Sequence, residues 1–172
     1  MFSQGDKVIY PAHGVACIDQ VEQLRVGETS VLVFVLRIQR DRLTIRIPFN
    51  KINSLGIRHI SSPEKIREAL DIMAQPPQGQ GGPKKTWSRR TQELTGKVQS
   101  GDLFILASVL RDLGYKGNLT SQSFGEHQIF YTSMTRFVEE WCQVESISPL
   151  EAETRVLTAL AQTDLDPALL SG

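Results

Sequence analysis

Along residues 7–48 the apolar positions fall in short runs, and after residue 60 they recur with the period of a helix. The stretch "KVIYPAHGVACIDQVEQL" is an apolar run, a Pro/Gly turn and a second apolar run, while "TSVLVFVLRI" is rich in Val, Leu, Ile and Phe and has no helix-starting cap. In "RLTIRIP" the alternation is strict. Leu43, Ile45 and Ile47 share one face and Arg42, Thr44 and Arg46 the other, because strand side chains point alternately up and down. One face is expected in a core and the other displays arginine. The segments Val26 to Glu28 and Arg40-Asp41 separate these runs into hairpins. About five short strands in this length suit a small barrel or curled sheet of SH3 or Tudor size.

The remainder predicts helices with recognisable starts. Ser61-Ser62-Pro63-Glu64 combines a capping serine, a proline suited to the first turn and a glutamate that complements the helix dipole; Ile66, Ala69, Leu70 and Met73 follow at helical spacing. That helix should stop before Pro76-Pro77, and "PPQGQGGP" has the composition of an exposed connection. Thr86 is placed to cap a helix running through Val98 and ended by Ser100-Gly101. Asp102 caps another with a stripe of Leu103, Leu106, Val109, Leu110 and Leu113, ended by "GYKGN". Ser123 and Glu126 have capping-box spacing ahead of Phe130, Met134, Phe137 and Trp141, and Ser148-Pro149-Leu150-Glu151 opens a last helix carrying Val156, Leu157 and Leu160. The expected architecture is α+β in two domains: a small Tudor/SH3-like β-barrel over residues 1–60, an all-α helical bundle over 61–162, and a mobile tail over 163–172.

Charge changes this picture more than composition does. The 172 residues carry no formal net charge, but the zero is a sum of unlike parts. Eight Lys/Arg against five Asp/Glu leave +3 in residues 1–60; residues 61–83 carry −1, residues 84–116 carry +4, and residues 117–172 carry −6. Such asymmetry predicts separate surfaces with separate partners. Cys17 and Cys142 stand far apart without CxxC spacing, so they are expected to be core thiols rather than a disulfide or zinc site. There is no signal-peptide pattern and no apolar run of the roughly 20 residues that span a bilayer, which predicts a cytoplasmic chain without a membrane partner. Gly-rich phosphate loops, nucleophile elbows and HExxH are missing, and Glu139-Glu140 and Glu151/Glu153 are expected on solvated helix faces rather than as acid/base pairs. No enzyme activity, cofactor site or metal site is expected.

The most basic run, "GGPKKTWSRRTQEL", contains a tryptophan. Trp141 lies on an amphipathic stripe and is a core residue by its spacing. Trp87 is in the first turn of its helix, and only Leu94 and Val98 are spaced to share its side, so spacing alone leaves inward packing and exposure both open. An exposed ring among Lys84, Lys85, Arg89 and Arg90 has a physical use. The cations neutralise phosphates, helix-start N–H groups add to that, and the ring stacks on or wedges against a base where a duplex opens.

Several of these stretches resemble one family. "GDKVIYPAHGVACI" with "VFVLRI" and "LTIRIP" resembles the N-terminal domain of the CarD/CdnL bacterial transcription regulators, a domain shared with the transcription-repair coupling factor, and Tyr10-Pro11-Ala12-His13-Gly14 is specific for that group. "WSRR" with "LTGKVQSGDLFILASVLRDL" resembles their C-terminal domain. The resemblance implies a Tudor-like barrel that binds the β subunit of RNA polymerase through Arg46 and Arg25. It also implies a helical domain whose Trp87 enters the minor groove at the upstream edge of the transcription bubble, with Arg89 and Arg90 on phosphates or groove and Lys85 and Lys97 as further contacts. His13 remains a turn or packing residue. Thr91-Gln92-Glu93 dilute the basic patch, so affinity for bare DNA should be modest and weakly sequence-dependent.

Two functions follow. The first is a monomeric regulator that joins polymerase to promoter DNA and stabilises the open complex. The second is a polymerase adaptor whose helical domain binds protein rather than DNA, which the acidic C-terminal quarter would suit.

Overall fold

The structure, a computed structural model, describes residues 1–78, 86–114 and 123–162, with the side chain of Trp87 outside that description. The chain divides into two compact units, Met1–Ile60 and Ser61–Gly172.

The first unit is a five-stranded antiparallel sheet: β1 (Lys7–Tyr10), β2 (Gly14–Val26), β3 (Thr29–Ile38), β4 (Leu43–Pro48) and β5 (Arg58–His59), in the order β4-β3-β2-β1-β5. A short 3-10 turn, Phe49–Lys51, follows β4. The predicted turns connect the strands. Gly14, at φ 90°, opens β2 after the Pro11–His13 turn, and Gly27, at φ 64°, occupies the first position of the two-residue hairpin between Val26 and Thr29. Both need a backbone conformation that a Cβ would strain.

Register decides which residues become core. Phe34, Leu36 and Ile38 of β3 face Val21, Ile18 and Ala16 of β2 and Ile47, Ile45 and Leu43 of β4. Even-numbered residues of β2 point inward before Asp19 and odd-numbered ones after it, because the register shifts between Ile18 and Gln20. A bulge there changes the parity of the strand, which simple alternation does not anticipate.

The sheet curls around its core without closing. Its edge strands β4 and β5 do not pair with each other, since β5 is two residues long and hydrogen-bonds only to β1 among the described residues. Of the two forms the sequence allows, a small barrel or a curled sheet of Tudor size, the chain takes the second. Burial along β4 is correspondingly graded: Ile47 is buried and Ile45 half-buried, while Leu43, beside the turn at the sheet's edge, is exposed.

The second unit comprises, among the described residues, α1 (Pro63–Met73), α2 (Trp87–Gln99), α3 (Leu103–Gly114), α4 (Phe124–Glu145) and α5 (Pro149–Ala161). Local chemistry starts most of them. Ser62 accepts a hydrogen bond from the Lys65 N–H, Asp102 accepts from Phe104 and Ile105, and Ser148 accepts from Glu151. Ser123 and Glu126 form the reciprocal capping box. Thr86 occupies the N-cap position of α2 but makes no side-chain capping bond. At the start of α1 the Glu64 carboxyl is held below its ordinary value, first by its own backbone N–H and then by Ser62. This contribution is present above the usual carboxylate range and fades as pH falls through the lowered value.

Two apolar clusters organise the helices. The larger joins α1, α3, α4 and α5 around Ile66, Leu110, Phe137, Trp141 and Val156; the smaller sets Leu94 and Val98 of α2 against Leu106, Val109 and Leu113 of α3 and Ile129 of α4. Of the three apolar residues read along α5, Val156 and Leu160 are buried and Leu157 is 49% exposed. Cys17 and Cys142 are half-buried free thiols rather than full core residues, and burial pushes the Cys142 thiol up from its ordinary value.

Glu140 corrects a larger expectation. It is 1% exposed rather than solvated, and its Oε1 accepts the Ser61 N–H at 2.9 Å, tying the entry of α1 to the middle of α4. Glu140→Ala removes that acceptor from a buried site, and we expect a loss of about 2 kcal/mol in folding stability. Urea titration of the full chain followed by helical circular dichroism measures it; an unchanged midpoint would show that the bond contributes nothing.

Candidate protein and nucleic-acid interfaces

The sheet presents one face to its core and another on which charged pairs sit over valines. Arg46 of β4 is opposite Val35, and Glu22 of β2 is opposite Val33. Because β3 lies between those strands, the Arg46 Nε to Glu22 Oε2 contact of 3.4 Å crosses it. It roofs Val33 and Val35, which explains how two residues turned away from the core are only 4% and 3% exposed. A second pair, Arg37 Nη2 to Asp19 Oδ2 at 2.6 Å, continues this ionic face. The Arg46 side chain remains 59% exposed, so its guanidinium is available to a partner. A surface pair of this kind stabilises by about 1 kcal/mol at most.

Strand β4 also has an open edge among the described residues. There it pairs with β3 alone, leaving a row of backbone donors and acceptors along Leu43–Pro48 of the type to which another strand can add. Arg25 does not join Arg46. It lies opposite Ser30 near the hairpin tip, on the side of the sheet that carries Phe34, so the two arginines occupy opposite faces. His13 sits in the β1–β2 turn, its N–H donating to the Tyr10 carbonyl and its own carbonyl accepting from Arg40.

Arg89, in the first turn of α2, and Lys97, in its last turn, are exposed, and neither makes an ion pair among the described residues. Glu93 stands between them at helical spacing and dilutes the positive stripe. Arg90 differs: its Nε lies 2.9 Å from Oε1 of Glu126, whose side chain is 11% exposed. Trp87 is the first residue of the helix, and Lys85 lies outside the described residues. The pairing of Arg90 with Glu126 is what sequence reasoning missed. The capping-box motif located Glu126, but nothing local says that its second oxygen receives an arginine from another helix.

Among the described residues there is no group of three His, Cys, Asp or Glu able to hold a metal ion, and no helix long and apolar enough to cross a membrane. An open groove between α1 and α5 is lined by Leu70, Asp71, Ala74, Arg155, Thr158 and Ala159.

Comparison with known proteins gives consistent matches. Residues 2–61 match the CarD-like/TRCF RID domain, and residues 68–157 match the C-terminal domain of CarD. A curated protein of Bacillus subtilis (strain 168), named "Putative transcription factor YdeB", is 29% identical over 113 residues, which cover 66% of this chain and 72% of that protein.

Proposed function

The chain belongs to the CarD family, whose members regulate transcription through RNA polymerase, and from that premise we propose that it links the polymerase β subunit to promoter DNA and stabilises the open complex. Residues 1–60 act as the polymerase-binding domain, with the open edge of β4 and Arg46 as its contact and Arg25 as a second contact on the other face. Residues 61–162 act as the DNA-binding domain. Trp87 is the wedge at the upstream edge of the bubble, Arg89 contacts phosphate, and Lys85 and Lys97 add to the electrostatic field.

The observation that carries this reading is the exposed cationic start of α2, which begins at Trp87 and follows, in the same chain, a sheet with an unpaired edge strand. An aromatic wedge favours opened over closed DNA, and only that difference in affinity shifts the equilibrium. Tethering to polymerase makes the DNA contact intramolecular, so a sparse basic patch suffices.

The adaptor reading, in which the helical unit binds protein instead, draws on the loss of Arg90's charge to Glu126. Binding to forked promoter DNA in the presence of polymerase separates the two: a steep decline with salt supports DNA contact, and salt-independent binding supports the adaptor.

Two substitutions test the leading reading. Trp87→Ala should leave polymerase binding intact and shorten open-complex lifetime on a weak promoter by about tenfold, the scale of one lost stacking contact; an unchanged lifetime would remove the wedge. Arg46→Glu should abolish co-purification with the β subunit, and retained binding would place the interface elsewhere.

A further inference from the structure

Arg90 lies within the basic motif, yet its surroundings suit a different task from those of Arg89. Glu126 commits both carboxylate oxygens: Oε1 to the Arg90 Nε at 2.9 Å and Oε2 to the backbone N–H of Ser123 at 3.0 Å. The Ser123 hydroxyl in turn accepts the Glu126 N–H. Arg90 is thus joined to the N-cap of α4 through a largely buried carboxylate. Drawing it away to a phosphate would leave that carboxylate without its counterion, which is costly where water is excluded.

The rest of α2 explains why such a tie matters. Among the described residues its buried apolar side chains, Leu94 and Val98, lie in the second and third turns. The first turn, with Trp87 and Arg89, lies beyond them, and its N-cap Thr86 supplies no side-chain bond. A helix whose apolar contacts, among the described residues, lie in its far half can pivot about them. The Arg90–Glu126 pair, one turn from Trp87, fixes the near half against α4.

We propose that Arg90 is a positioning residue: paired with Glu126, it sets the angle of the first turn of α2, and so the aim of Trp87 and Arg89, and it adds no net phosphate neutralisation of its own. This rests on the DNA-binding role of that turn proposed above. It reverses the expected sign of one substitution. If Arg90 is a phosphate contact, Glu126→Gln releases its charge and strengthens the DNA complex. If Arg90 positions the helix, the same change loosens the first turn and weakens it.

The test measures open-complex lifetime and the salt dependence of forked-promoter binding with polymerase and full-length protein. Glu126→Gln, which still suits the capping box, should shorten lifetime by about fivefold, the factor that corresponds to a coupling of roughly 1 kcal/mol. Arg90→Gln should do the same while leaving the salt slope unchanged, and the double substitution should be no worse than either alone. Arg90→Lys keeps the charge but loses the Nε donor, so it should behave as Arg90→Gln. In a Trp87→Ala background Glu126→Gln should cost clearly less than in the wild-type chain, because only the aim of Arg89 is left to disturb, whereas a merely structural role would lower the lifetime by the same factor again.

Several results would overturn the proposal. These are a lifetime unchanged or prolonged by Glu126→Gln, a salt slope reduced by about 1 in Arg90→Gln, wild-type behaviour of Arg90→Lys, or additive losses in the double substitution or in the Trp87→Ala background. Should Glu126→Gln lower helical content, Arg90→Lys, which leaves Glu126 in place, decides the question. A wild-type lifetime for Trp87→Ala alone would instead defeat the wedge reading itself.

Discussion

Helix α3 is apolar on both sides, and the helical unit is arranged to satisfy that constraint. Leu103, Ala107 and Leu110 enter the large cluster with α1, α4 and α5, whereas Leu106, Val109 and Leu113 need cover from elsewhere. Leu94 and Val98 of α2, with Ile129, supply it. Among the described residues the helix bearing the basic motif is therefore docked through apolar contacts in its middle and end, with the Arg90–Glu126 pair tying its start. A helix with apolar residues all round must be buried on all sides, and here that requirement sets the position of the motif.

The sheet unit solves its own problem of exposed surface with charge. Strand β3 is the centre of the long hairpin, and its outward valines are roofed by an ion pair reaching from β4 to β2 across them. Arg46 thereby has two uses, covering Val33 and Val35 in the isolated protein and offering an exposed guanidinium beside an open strand edge. The same economy recurs in Glu126, which completes a helix cap with one oxygen and holds a neighbouring helix with the other.

What could be read from the sequence was local. The Ser62, Asp102, Ser123 and Ser148 caps lie within three residues of the N–H groups they accept from, so their spacing identifies them directly. The glycine turn at Gly27 and the alternation in β4 are local in the same sense. The features missed are those created by distant partners. Glu140 reads as solvated until Ser61 comes to meet it; Arg90 reads as a free cation until α4 lies beside it. The bulge at Asp19 has no residue signature, although it decides which side of the sheet Val21 and Arg25 occupy. The choice between a barrel and a curled sheet is likewise not local: it turns on β5, which at two residues gives too few ladder bonds to complete a barrel.

The central claim is that one chain holds polymerase at its sheet and opened DNA at the start of α2. Site-specific photocrosslinking from position 87, in a polymerase–promoter open complex, tests it most directly. The account predicts crosslinks to promoter DNA at the upstream edge of the bubble, present in the open complex and lost when the promoter is kept closed. Crosslinks to polymerase subunits alone, or to DNA equally in both states, would contradict it.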